Sequence, residues 1–201
     1  MTPRKPAASS VYRLRITLQE IVPPIWRCVE VSANTRLCCL HDVIQIVMGW
    51  TDSHLHQFEK EGKYYGVPDT EFDDINVIEE GIVPLRSLLK AEGDSALYLY
   101  DFGDNWRHDV VLEQVRRSPG AALRPVCMGG ERHCPPEDVG GVPGYAEFLE
   151  VIFEPRHEEH EHFTAWCGGR FQPEEFDVAA VNDALSQLRW PVRHRRTLRR
   201  I

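Results

Sequence analysis

The chain has 201 residues, a formal net charge of −8 and 42% hydrophobic residues, enough for one domain with a sizeable core. No apolar run approaches the ~20 residues needed to cross a bilayer, which excludes a membrane-spanning helix and implies no membrane partner. The six cysteines are scattered through a chain too large to need staples, so reduced thiols and a cytoplasmic location are expected.

Residues 1–10 are positively charged but lack the apolar centre of a secretion signal, and they are expected to form a flexible arm. A single domain over residues 11–188 and a basic tail over residues 189–201 complete the expected organisation. Tyr12, Leu14, Ile16 and Leu18 alternate with Arg13, Arg15, Thr17 and Gln19, the signature of a strand with one buried face. Pro23-Pro24 breaks the run and Ile25 to Val31 resumes it, predicting an antiparallel pair in which Trp26 is core or sheet cover. Asn34 or Thr35 is expected to cap a helix whose apolar face is Leu37, Leu40, Ile44, Val47 and Met48, with Gly49 at its left-handed end.

Beyond Trp50, the run His54-Leu55-His56-Gln57-Phe58 predicts a strand with His54, His56 and Phe58 on one face. Two imidazoles side by side can share a metal, but such a pair is as often a polar patch, so no metal is assigned. Glu61-Gly62-Lys63 reads as a hairpin turn into Tyr64-Tyr65, the stretch from Val67 to Asn76 as an acidic surface loop, and Pro84 as the start of a short helix with Leu85, Leu88 and Leu89 inward.

Tyr98 to Glu113 reads as two strands reversing at Gly103-Asp104-Asn105. The tip concentrates Asp101, Asp104, Asn105, Trp106, Arg107, His108 and Asp109, more polar and aromatic chemistry than a turn requires. Arg116 to Leu123 is expected to be a connection. Pro125 to Tyr145, with two Gly-Gly pairs and Pro135-Pro136, is expected to be an ordered loop; neither glycine pair has a phosphate-cradle pattern. Cys127 and Cys134 are spaced more widely than a zinc knuckle requires.

The C-terminal third reads as helices: a stripe of Tyr145, Phe148, Leu149, Ile152 and Phe153, a second helix from His157 to Trp166, and a third capped by Asp177 and buried through Val178, Val181, Leu185 and Leu188. The run of Glu and His at the start of the second helix reads as a solvated face rather than a metal site. Charge is uneven here: Glu131 to Asp183 holds thirteen acids against three arginines, and Arg189 to Ile201 holds six arginines and no acid. An acidic body repels phosphate, so any nucleic-acid binding is expected to be weak and confined to that tail.

Four separated motifs, taken in order, resemble the Ri-plasmid (pRi) ORF-three-like family. They are Pro23-Pro24-Ile25-Trp26-Arg27; Met48-Gly49-Trp50 with His54-Leu55-His56-Gln57-Phe58; Tyr100-Asp101-Phe102-Gly103-Asp104-Asn105-Trp106-Arg107-His108; and Pro135-Pro136-Glu137-Asp138-Val139-Gly140-Gly141 with Tyr145. The resemblance spans Tyr12 to Leu188. It implies an α+β domain of bacteria and archaea, associated with plasmids and mobile elements and sometimes labelled a transposon passenger protein of TnpR type, with no established activity. Val139 stands where related sequences often carry Cys, which argues against a thiol-rich zinc site. The first strand also lacks the nucleophilic serine a serine recombinase needs at its end, since Ser9 and Ser10 precede it, so recombination is not expected.

The expected fold is α+β: a mostly antiparallel sheet with one N-terminal helix and a C-terminal group of helices packed against it. The expected function is a binding or interaction module whose polar-aromatic pocket is formed by Trp50, His54, His56, Asp101, Asp104, Trp106, His108, Glu137 and Asp138, taking a small molecule or a protein partner, with no cofactor and no metal. An acid–base or metal-dependent enzyme using Asp101, His108 and Asp138 is one alternative. Weak nucleic-acid binding through the tail is the other.

Overall fold

The alternating segments of the sequence assemble into an eight-stranded sheet. A computed structural model of the chain describes residues 9–68, 76–118 and 124–189. Outside these lie residues 1–8 of the expected arm, most of the acidic loop, part of the connection after residue 118, and the tail from residue 190 onward. The strands are β1 (Ser9–Leu18), β2 (Trp26–Ser32), β3 (His56–Lys60), β4 (Lys63–Gly66), β5 (Val77–Glu79), β6 (Ser95–Tyr100), β7 (Trp106–Ser118) and β8 (Val126–Glu131). Their order is β5-β4-β3-β6-β7-β1-β2-β8, and all neighbours are antiparallel except β4 and β5. That exception follows a ten-residue link between β4 and β5, whereas the reversals at Pro23-Pro24, Glu61-Gly62 and Gly103 are too short for anything but antiparallel pairing.

The helices are α1 (Leu37–Met48), α2 (Leu85–Leu88), α3 (Gly141–Phe153), α4 (His160–Trp166) and α5 (Val178–Gln187). Tyr12, Leu14, Ile16 and Leu18 of β1 share one core with Leu37, Leu40, Val43, Ile44 and Val47 of α1, Tyr145 and Phe148 of α3, and Leu185 of α5. Each fully buried aliphatic side chain there contributes roughly 1.5–3 kcal/mol. The other sheet face is polar: Arg13 and Arg116 both meet Glu30, and Arg15 lies 3.9 Å over the ring of Trp26, which covers the sheet rather than entering its core.

Several sequence expectations are corrected. Ser9 and Ser10 belong to β1, not to an arm, and Arg116 to Ser118 extend β7. The expected loop from Pro125 to Tyr145 begins instead with β8 and ends inside α3, leaving only residues 132–140 without regular structure. Neither Asn34 nor Thr35 caps α1; Arg36 occupies that position and the Val83 carbonyl receives the Leu37 N–H at 3.0 Å. Phe153 is exposed, and α4 starts at His160. Gly49 and Asp177 act as expected, Gly49 at φ 92° and Asp177 accepting from the N–H groups of Ala179 and Ala180.

Strand β8 lies at the sheet edge. There Asn182 of α5 receives the Cys127 N–H at 2.8 Å and donates to the Cys127 carbonyl at 2.9 Å, so one side-chain amide satisfies both backbone groups of that residue.

Arg27 is the unexpected core residue. Its side chain is on the buried face of β2, 1% exposed, and donates to four carbonyls: Val47 at 2.7 Å, and Trp26, Glu131 and Arg132 at 2.8 Å each. The guanidinium lies 3.9 Å from the Phe176 ring. Gly130 makes room for it, since a Cβ there would stand 2.6 Å from Phe176 and 2.9 Å from Arg27 Cδ. Burial pulls the Arg27 pKa down, yet an arginine stays charged far above neutral pH, so the four carbonyls hold a cation without a carboxylate. Replacing Arg27 by Met leaves those carbonyls unpaired and is expected to cost about 3 kcal/mol or more in urea unfolding. Arg27→Lys should recover little of this, because one ammonium cannot span four acceptors.

Candidate functional site

Strands β6 and β7 position the central residues by simple alternation. Tyr98 pairs with His108 and Tyr100 with Trp106 across the hairpin, and all four side chains point into the core. Trp50, carried past the end of α1 by the Gly49 turn, stacks on Tyr100 with centroids 4.9 Å apart and meets the edge of His108 at 5.3 Å. Its indole N–H donates to the Pro135 carbonyl at 3.0 Å. Trp50, Trp106 and His108 are therefore interior packing beneath the site and not walls of an open pocket; His108 is 0% exposed. The His108 Nδ1–H donates to the Tyr98 carbonyl at 3.3 Å, which leaves Nε2 as a bare acceptor.

A polar cluster lies at the open end of this packing. Asp101 closes the tip in the left-handed region, φ 56°, accepts the Gly103 N–H at 2.8 Å, and gives its own N–H to the Leu55 carbonyl at 2.9 Å. That last bond draws the segment before β3 against the hairpin tip and sets His54 beside Asp101. From the other side comes Asp138, also left-handed at φ 60°, on the loop stiffened by Pro135-Pro136. His54 Nε2 lies 3.1 Å from Asp138 Oδ1 and 3.7 Å from Asp101 Oδ2. That nitrogen is sealed from solvent, yet neither oxygen is in line with it for a hydrogen bond.

The loop is clamped over the tip by its neighbours. Glu137 accepts from the Thr51 hydroxyl and from the Tyr100 hydroxyl, and Tyr100 also accepts the Ser53 N–H at 3.1 Å. Burial opposes ionisation of Glu137, but the bonds from Thr51 and Tyr100 outweigh it and hold the carboxyl below its ordinary pKa. Asp104 accepts the Gly140 N–H at 3.1 Å, and Gly141 approaches so closely that a Cβ there would stand 2.5 Å from the Asp104 carbonyl oxygen.

His56 goes elsewhere. Strand β3 begins at His56, so His54 lies outside it and the expected shared face does not form. The His56 ring stacks on His41 of α1 at 3.4 Å and 4°, and its Nε2 lies 3.0 Å from the buried Glu80. Gln45 donates to the Tyr98 hydroxyl at 3.0 Å; that hydroxyl donates to His41 Nδ1 at 2.8 Å, and His41 Nε2–H reaches Asp52 at 2.8 Å. Sequence reading missed Tyr98, Tyr100, Thr51, His41, Gln45 and Glu80. The polar tips of the two tyrosines and the His41/Gln45 spacing of four on the buried face of α1 are the signals that point to them.

Among the described residues, two groups of three or more His, Cys, Asp or Glu side chains converge closely enough for a metal: His41 with Asp52 and His56, and His54 with Asp101 and Asp138. The cysteines are free thiols; burial pushes Cys134 up to about 12, so it is not a ready thiolate ligand. His133 Nδ1 lies 2.6 Å from the Cys134 carbonyl oxygen and His160 Nδ1 lies 3.0 Å from the Val151 carbonyl oxygen. A groove of about 590 Å³, lined by Gln19, Glu59, Lys60, Asp94, Arg107 and Asp109 among others, lies on the outer sheet face, away from the His54 cluster.

Comparison with known proteins gives consistent results. The model of a family described as plasmid pRiA4b ORF-3-like protein matches residues 10–180. An uncharacterised protein of Sinorhizobium fredii, y4hQ, is 39% identical over 174 residues, which is 87% of each chain. The crystal structure of MM3350, a protein of unknown function from Methanosarcina mazei, superposes with a TM-score of 0.76 at 37% identity, covering 85% of this chain and 97% of that one.

The buried imidazoles make stability depend on pH. Burial lowers both His41 and His108 to about 4 from an ordinary 6.5, so the unfolded chain binds more protons than the folded one between those values. Stability from this source is present above pH 6.5 and is lost as pH falls toward 4, at a limit of about 3 kcal/mol per histidine. Urea midpoints should fall steadily over that window, with a shallower fall for His108→Asn; a midpoint constant from pH 7 to pH 5 would contradict neutral burial.

Proposed function

Because the chain belongs to the plasmid pRiA4b ORF-3-like family, whose compared relatives carry no stated activity, we propose from its own geometry that it is a binding module. Its recognition centre is His54, Asp101 and Asp138. One observation carries this reading: two carboxylates from separate segments flank one imidazole, and no described Lys or Arg lies within ion-pair distance of either. Such a centre attracts a positive charge. Leu55 and Phe102, 68% and 52% exposed, stand next in sequence to His54 and Asp101 and supply apolar contact. The ligand class is therefore a cationic group borne on an apolar body, either a small molecule or an exposed segment of a protein partner. Glu137, Tyr100 and Thr51 act as positioning residues that hold Asp138 over the site.

Acid–base chemistry by Asp101 and Asp138 with His54 is a second reading, favoured by the 3.1 Å contact between His54 and Asp138. In it His54 replaces His108, which is sealed in the core.

NMR that observes both the ligands and the protein's imidazole resonances, with a library of aliphatic and aromatic amines, tests the binding reading. Amines should bind the wild-type protein and perturb the His54 ring resonances, and Asp101→Asn and Asp138→Asn should each weaken binding by about tenfold, as loss of one charge partner predicts. Asp138 is 70% exposed along its side chain, so Asp138→Asn should leave the unfolding midpoint unchanged. Amines that bind equally well to both variants would defeat the proposal.

A further inference from the structure

The geometry points to a divalent transition-metal site at His54 Nε2, Asp101 Oδ2 and Asp138 Oδ1, with the ion supplying the positive charge that this centre takes. The inference rests on the reading of these residues as a centre that takes positive charge, and at the same donors a metal ion competes with an organic cation. It also revises the expectation of no metal, which weighed His54 with His56 as a pair that the fold separates.

Donor spacing is the first argument. Ligands about 2.1 Å from one ion, at tetrahedral or octahedral angles, stand about 3.0–3.4 Å from each other. The His54 nitrogen is 3.1 Å and 3.7 Å from the two carboxylate oxygens, and all three donor atoms lie within 4.8 Å of one another, close to that spacing.

The second argument is that the His54 nitrogen is unspent. Nε2 is sealed from solvent and makes no hydrogen bond, although two carboxylate oxygens face it. A sealed imidazole nitrogen left without a hydrogen-bond partner beside two anionic oxygens is the arrangement of a coordination vertex. The His41, Asp52 and His56 group lacks this feature, since His41 has partners on both nitrogens through Tyr98 and Asp52, and His56 is engaged by Glu80. Coordination there would break bonds already made.

The donor set selects the ion. One imidazole with two carboxylates suits Mn²⁺, Fe²⁺ or Zn²⁺ better than Mg²⁺ or Ca²⁺, which prefer oxygen alone. Asp101 is 11% and Asp138 70% exposed along the side chain, so the ion would be anchored on one side and keep open positions on the other. Asp101 is held by the Gly103 N–H through its other oxygen, which fixes the ligand's direction.

Full-length protein treated with EDTA and desalted is titrated with Mn²⁺, followed by electron paramagnetic resonance, because Mn²⁺ avoids the six thiols. One ion per chain should bind, with affinity reduced at least about tenfold in His54→Gln, Asp101→Asn and Asp138→Asn and unchanged in His56→Gln. Asp101→Asn preserves the acceptor for Gly103 and so separates loss of charge from loss of the turn. No binding at millimolar Mn²⁺, or binding abolished by His56→Gln and kept by His54→Gln, overturns the inference. Amines that bind the EDTA-treated protein through Asp138 while Mn²⁺ does not would leave the recognition centre standing and remove the ion from it.

Discussion

The fold depends on how one buried cation is held. Arg27 enters the core without a carboxylate, and its guanidinium is held by four carbonyls that belong to β2, the end of α1, the end of β8 and the first residue after β8. The Val47 carbonyl lies in the last turn of α1, where the helix dipole is negative, so the helix end contributes field as well as a hydrogen bond. This arrangement links helix, sheet and loop through a single side chain. Residues 132–140 leave the sheet from that point, so the direction in which the loop carries Glu137 and Asp138 toward the hairpin is set from within the core.

Two polar groups sit along the same aromatic packing and differ in kind. Around Tyr98, donors and acceptors match: Gln45 gives to the hydroxyl, the hydroxyl to His41, and His41 to Asp52. A network closed in this way specifies one arrangement of α1 on the sheet and leaves nothing over for a ligand. Around His54 the accounting stays open, with one sealed nitrogen and two carboxylates from separate segments. Left-handed backbone at Asp101 and Asp138 shows that the chain tolerates local strain where that open group is assembled.

Much of this was legible in the sequence, for reasons that also explain the gaps. Period-two alternation in β1 and the tight reversals at Gly62 and Gly103 identify an antiparallel α+β protein, because one buried face and short turns admit few other solutions. The meeting of the hairpin tip with the Pro-Pro loop was expected because a loop stiffened by prolines needs a packed neighbour and the tip is the richest polar surface. Arg27 was illegible because patterning reads a charge as outward-facing, and only the assembled carbonyls give it reason to turn inward. Gly129-Gly130 looked like part of a loop for a related reason: Gly130 serves the space that Arg27, Trp26 and Phe176 need, which is a tertiary demand. His54 and His56 looked like one pair because alternation assumes a continuous strand, and the hydrogen bond from Asp101 to Leu55 bends the chain just before the strand begins.

The Asn182 amide on β8 bears on how the molecule behaves among copies of itself. An edge strand recruits another strand through a run of vacant N–H and C=O groups, and Asn182 occupies both groups of Cys127 near the start of a six-residue strand. An incoming strand would have to break two hydrogen bonds there before forming any. The side chain thus imitates a ninth strand for the length of one residue, and it blocks pairing at that position of the β8 edge without spending a further element of secondary structure.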